Sequence, residues 1–219
     1  EVRRLLPFAL IALVGCALSP AAEAATLTVY VLSPDGHPAA DMVVEVAMPG
    51  APVRVPTEPV VIAQIGVRFA PQVTAIPAGT TVRFTNQDAF DHHLRSMAAG
   101  PLGSIATAKE FEFRMAGAHP DKPVTTDVKF ERAGLVVLGC HLHGSMRGHV
   151  YVGESALLAV TDAAGRAVIQ GVPEGRGEMR YWHPQQLTEQ DKTSVQVGGN
   201  ASLNATLNFK PARPRRRGG

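Results

Sequence analysis

Cys140-His141-Leu142-His143-Gly144-Ser145-Met146 puts a thiol, two imidazoles and a thioether within seven residues. A second donor pair, His92-His93, lies earlier in the chain. Thiolate with imidazole suits zinc or copper, whereas a thioether is a poor ligand for zinc and for hard cations. One cysteine, two histidines and a weak axial methionine make up the donor set of a one-electron copper site. Structural zinc would want four strong ligands, usually including paired cysteines. The donors therefore point to one copper ion cycling between Cu(I) and Cu(II).

Each donor also has a plainer reading. A lone buried cysteine is ordinarily an inert small hydrophobe. For Cys140 the flanking His143 and Met146, at ligand spacing, favour metal. Met146 is either an axial ligand or a filler of a packing gap. Either His92 or His93 can ligate. His141 reads as a neighbour of the ligands or a surface residue, with direct ligation as the alternative. His37, His119 and His149 have no partner cluster, and His183 beside Trp182 reads as packing. The chain contains neither G-x-S-x-G nor H-E-x-x-H, and no suggestive carboxylate pair. Hydrolase chemistry has no foothold, and the chain is not read as an enzyme.

Strands must position these donors. Sparse aromatics (5%) with 21 glycines and 17 prolines give a strand-and-turn composition. Thr26 to Leu32 alternates, Pro34-Asp35-Gly36 turns, and Met42 to Ala47 follows, which reads as a β-hairpin or two sequential strands. Further strands are expected at Val60 to Phe69, Gln72 to Ile76, Thr80 to Thr85, Glu110 to Met115 and Val124 to Phe130. Leu94 to Lys109 reads as loop with a short helix. Leu135 to Leu138 is a short apolar run, expected to be buried on both faces, and a closing strand starts at His149. His92-His93 and the Cys140 motif would then sit in two loops at one end of a sandwich. Beyond Gly153 the grammar restarts, with strands at Leu157 to Thr161, Arg166 to Gln170, Glu178 to Trp182, Ser194 to Val197 and Leu203 to Phe209.

The expected organisation is a leader over 1–25, a β-hairpin and Pro-rich connection over 26–62, and a main β domain over 63–153. A small sandwich over 154–210 and a basic tail over 211–219 complete it. In the leader, Arg3 and Arg4 precede the apolar run Leu5 to Leu18, and Ala21-Ala22-Glu23-Ala24-Ala25 follows, the order of an export signal. The run is too short to span a bilayer comfortably, and no other segment could span. Leu13-Val14-Gly15-Cys16 resembles a bacterial lipobox, so acylation of Cys16 competes with cleavage after Ala24 or Ala25. An exported or periplasmic protein is expected, with a lipid anchor at Cys16 as one route. Cys140 is then the single cysteine of the folded part, with no disulfide to make. The 21 basic and 19 acidic residues nearly balance, so no global field points to nucleic acid. Arg213-Pro214-Arg215-Arg216-Arg217 reads as a solvated end, with docking to an acidic partner or lipid headgroups as the alternative.

The sequence resembles the cupredoxins. Phe69-Ala70-Pro71, Pro77-Ala78-Gly79-Thr80-Thr81-Val82-Arg83-Phe84-Thr85-Asn86 and Asp91-His92-His93-Leu94 match their F-x-P, G-x-x-V-x-F-x-N and histidine segments. Cys140-x-x-His143-x-x-Met146 resembles their ligand loop, in the short spacing of the amicyanin branch. A closer resemblance is to exported plastocyanin-like methylamine utilisation proteins, through Gly139-Cys140 and Trp182-His183-Pro184. The resemblance implies an all-β chain: a Greek-key cupredoxin sandwich, then a small sandwich similar to transthyretin or carboxypeptidase-regulatory domains. It implies His92, Cys140 and His143 as copper ligands with Met146 axial, His93 and His141 being the lesser candidates. A blue copper protein carrying single electrons to redox partner proteins is what this family does. A copper-handling module without such a partner and a structural envelope β-protein are the competing readings. Amicyanin and plastocyanin usually carry asparagine after the first histidine and an aromatic residue before the cysteine. Here those places hold His93 and Val137-Leu138-Gly139.

Overall fold

Strict alternation of apolar and polar residues builds both halves of the chain from strands. The computed structural model describes residues 24–212 except 120, 121 and 123. The expected export signal up to residue 23, with Cys16, and the Arg213 to Arg217 run lie outside the described residues. In chain order the strands are β1 (Ala25–Leu32), β2 (Val43–Ala47), β3 (Val60–Gln64), β4 (Phe69–Ala70), β5 (Val73–Pro77), β6 (Thr80–Asn86), β7 (His92–Met97) and β8 (Glu112–Met115). They continue with β9 (Val124–Phe130), β10 (Gly134–Cys140), β11 (Arg147–Gly153), β12 (Leu158–Val160), β13 (Arg166–Val172), β14 (Gly175–Trp182), β15 (Thr193–Val197) and β16 (Ala201–Thr206). One 3-10 turn, Pro101–Gly103, is the only helical element among the described residues.

The donors sit in a sandwich of two sheets. One has the order β5-β11-β10-β7-β8 and the other β4-β3-β6-β9, so the chain crosses repeatedly from sheet to sheet. Between them lies a core of Ile62, Phe69, Ile76, Val82, Phe84, Leu94, Phe130, Val136, Leu138, Val150 and Val152, with Cys140 and Met146 at one end. Phe84 meets Phe111 and Phe113 at ring-centroid distances of 5.6 and 5.8 Å. These aromatic contacts bury large area without polar cost. The fold is thus the all-β sandwich that the resemblance implies.

The second sandwich draws on both ends of the chain. β1 lies between β13 and β16, antiparallel to the first and parallel to the second. β2 lies between β12 and β14 in the facing sheet. Of the two readings of Thr26 to Ala47, the structure has two sequential strands and not a hairpin: β1 and β2 belong to different sheets. Both edges of β1 are already paired, leaving none for β2. The turn at Gly36 (φ 79°) carries the chain across instead. Leu27, Val29, Val31, Val44 and Val46 are fully buried in this second core.

Two further expectations change. His92-His93 is not in a loop but opens β7, which pairs with β10 on one side and β8 on the other. His92 and Leu94 point inward while His93 and Arg95 point outward, and so polar an outer face disguised the strand. Cys140 likewise closes β10 rather than lying in a loop, and β11 starts at Arg147, leaving 141–146 as the connection. Val60 to Phe69 is interrupted by a turn at Gly66 and Val67, both with φ 59°.

The two sandwiches meet along β11. Tyr151 Oη donates to Glu45 Oε2 (2.6 Å), and the Ser155 N–H donates to Glu45 Oε1 (2.7 Å). Trp182 packs on His149 and Tyr151, each at 5.9 Å. A cavity of about 780 Å³ lies beside this contact. Val137 and Leu135 line it, so the outer face of β10 is covered only in part.

Candidate metal centre

Two strand ends and the connection between β10 and β11 bring the donors together. His92 starts β7, Cys140 ends β10 beside it, and His143 lies in the connection that follows. His92 and Cys140 are buried, and His143 is half-buried. Cys140 Sγ stands 3.7 Å from His92 Nδ1 and 3.6 Å from His143 Nδ1. The two imidazole centroids are 4.8 Å apart. Among the described residues, these three form the only group of His, Cys, Asp and Glu whose donor atoms converge within 4.8 Å.

The spacing fits a metal ion. Bonds of about 2.0–2.3 Å to sulfur and nitrogen, set in a near-trigonal plane, separate the donors by roughly 3.6–3.8 Å. Both sulfur-to-nitrogen separations already match that spacing. Met146 is fully buried, and its N–H donates to the His143 carbonyl (2.9 Å), closing the turn from imidazole to thioether.

The chain beneath His92 is braced. Asp88 Oδ2 is 2.9 Å from His92 Nε2, which leaves Nδ1 to face the thiol. A carboxylate behind a ligating histidine fixes its tautomer and its ring orientation. Asp88 is itself held by the N–H groups of Gly66 (2.6 Å) and Val67 (3.1 Å), in the turn between β3 and β4. Burial pushes the Asp88 carboxyl up, but these N–H groups and His92 together hold it below the ordinary carboxylate range. Asp88 thus stays ionised, an acceptor for the His92 N–H.

Asn86 secures the same loop, donating to the Phe90 and Ala116 carbonyls at 2.9 and 2.8 Å. Asp91 accepts from the Gly117 N–H (2.9 Å) and from Arg114 (2.9 Å). The position after His92 holds His93, so its side chain provides no such bracing. Its backbone does contribute: the His93 N–H donates to Cys140 Sγ (3.3 Å), stabilising a thiolate there. Phe90 covers both imidazoles, with centroids 5.4 Å from His92 and 5.3 Å from His143. Phe90 and Leu142 are both exposed and flank His143 with apolar surface.

The lesser candidates lie elsewhere. His93 and His141 turn outward, to Glu112 at 3.0 and 3.4 Å. His149 and His183 lie at or near the contact between sandwiches, where burial lowers each to about 4 and keeps both neutral. His37 lies 3.9 Å from Asp35. Sequence reasoning missed Asp88, Phe90 and Glu112. Asp88, four residues before His92, is the one that spacing could have suggested.

No family model matches the chain, and no curated protein matches it. Solved structures do show likeness to part of it. A Cu-containing nitrite reductase (NirK) from Thermus scotoductus SA-01 is 25% identical over 50% of this chain, with a TM-score of 0.38; the match spans 25% of that protein. Amicyanin from Paracoccus versutus is 25% identical over 50% of this chain and 97% of its own, with a TM-score of 0.35. A purple cupredoxin from Nitrosopumilus maritimus is 23% identical over 43% of this chain and 99% of its own, with a TM-score of 0.32. Each of these likenesses covers half of this chain or less, at TM-scores below 0.4.

Proposed function

We propose that this protein holds one copper ion on His92, Cys140 and His143, with Met146 as axial donor, and carries single electrons outside the cytoplasm. The observation that carries this reading is the buried triangle of one thiol and two imidazoles, already at metal-bonding separation. Copper, when bound, supplies reversible gain and loss of one electron. The chain supplies the rest. Asp88 presents His92 through Nδ1 alone, and the His93 N–H steadies the thiolate. The sheet core around Cys140 and Met146 excludes water. Strands fix two of the ligands, so little has to move when charge changes.

His143 is the ligand nearest to solvent, bordered by exposed Phe90 and Leu142. Its ring edge is the proposed route for the electron, and the apolar rim is where a redox partner would sit. No helix among the described residues is long and apolar enough to cross a membrane. The leader-like first 25 residues support export, by cleavage or by acylation of Cys16. A second reading, a copper-handling module without a redox partner, is favoured by the outward His93 and His141.

Purified protein titrated with Cu(II) separates the readings. Electron carriage predicts one equivalent, intense visible absorption, bleaching by ascorbate, and loss of the band in Cys140→Ser. A colourless complex taking up Cu(I) alone would favour copper handling, and no copper uptake would defeat both.

A further inference from the structure

The outer face of the same sheet carries a looser gathering of donors around one carboxylate. β10, β7 and β8 are adjacent, in that order. β7 supplies His93, β8 supplies Glu112, and His141 follows directly on β10. His93 pairs with Arg114 across the ladder and Arg95 with Glu112, so Glu112 is the diagonal neighbour of His93 on the outward face. One oxygen, Glu112 Oε1, is 3.0 Å from His93 Nε2 and 3.4 Å from His141 Nε2. The two rings are 4.9 Å apart between centroids. The His141 N–H donates to the His93 carbonyl (2.9 Å), which fixes the backbones that carry them.

We propose that His93, His141 and Glu112 form a second metal site for a borderline divalent cation, zinc(II) or copper(II). Two imidazoles and a carboxylate are a known three-residue donor set for zinc, with water completing the tetrahedron. Bonds of about 2.0–2.2 Å in that geometry separate donors by roughly 3.3 Å, close to both separations from the shared oxygen. The two imidazole nitrogens do not stand within 4.8 Å of each other, so both rings must swing inward to close the site around an ion. All three side chains are partly exposed (32%, 38% and 54%), so they can move and a water can reach the open position. Arg114 pairs with Asp91 at 2.8 Å, and Arg95, opposite Glu112 on the ladder, forms no ion pair with it among the described residues. No thiol or thioether is present, so this site takes the divalent ion and not Cu(I). It goes beyond the electron-carrier reading and does not depend on it.

Zinc(II) titration by calorimetry tests the site, using protein whose inner site is disabled by Cys140→Ala. The same titration on His143→Gln guards against a folding defect in the first variant. One equivalent of zinc should still bind. Adding His93→Gln, His141→Gln or Glu112→Gln should each weaken binding by more than about tenfold, the loss expected even for a residue that merely supports a ligand. In the NMR spectrum, zinc should shift the His93 and His141 ring protons and leave those of His92 in place. Absence of zinc binding in both inner-site variants, or binding unchanged by the outer substitutions, would overturn the proposal. Neither result would touch copper uptake by the intact protein.

Discussion

The five-stranded sheet has two faces made from the same strands, and they differ in kind. Inward, His92, Leu94, Val136, Leu138, Cys140, Val150 and Val152 are all essentially buried. One residue along in each case, the outward face carries His93, Arg95, His149 and Tyr151, with His141 just past the end of β10. Alternation at period two lets one strand serve an apolar core and a polar surface together. The inner imidazole of His92 has a single ionised partner, which is tied down by two backbone N–H groups. The outer imidazoles share an exposed glutamate. Burial and bracing, more than donor identity, separate the inner cluster, held in place by its surroundings, from the outer one, whose rings would have to swing together around an ion.

The contrast can be broken by removing the brace. Asp88→Ala leaves the His92 ring free to turn and should weaken copper binding by about 10- to 100-fold, measured by competition with a chelator. Glu112→Gln should leave copper affinity at the inner site unchanged. Equal effects of the two would erase the distinction between faces.

Tyr151→Phe probes the outward face where the second sandwich covers it. It strips the donor from buried Glu45 Oε2 and should cost about 1.5–3 kcal/mol in denaturant unfolding, with the copper spectrum unaltered. On the inner side, Gly117→Ala forces a methyl group onto the Ala89 carbonyl and should shift the loop that carries Asp88. That overpacking costs about 1–3 kcal/mol and, unlike Tyr151→Phe, should also weaken the metal.

A further effect is on pH. Burial comes first in lowering His149, followed by the neighbouring His183 and Arg147; burial lowers His183 as well, and both fall to about 4. Unfolded histidines titrate near 6.5, so between these values the unfolded chain binds more protons than the folded one. Stability should be full above pH 6.5 and fall progressively toward pH 4. Thermal unfolding across that window checks the sign, and the slope should flatten in His149→Gln.

Much of this was legible in residue order. Alternation located most strands, and the Cys140 to Met146 spacing marked the chemistry. Other features depended on pairings between distant segments. The β1–β16 parallel pair joins the two ends of the described chain, so the opening strands read locally as a hairpin. Asp88 matters only because the Gly66-Val67 turn folds back to hold it. His93 looked like a spare ligand until β7 turned out to be a strand, with its neighbour on the opposite face.

The choice between His92 and His93 is therefore the most direct test of the whole account. Copper-loaded His92→Gln and His93→Gln proteins should be compared by visible absorption and electron paramagnetic resonance. The account predicts loss of the thiolate-to-copper band in His92→Gln and a nearly unchanged band in His93→Gln. A band that survives in His92→Gln and vanishes in His93→Gln would contradict it.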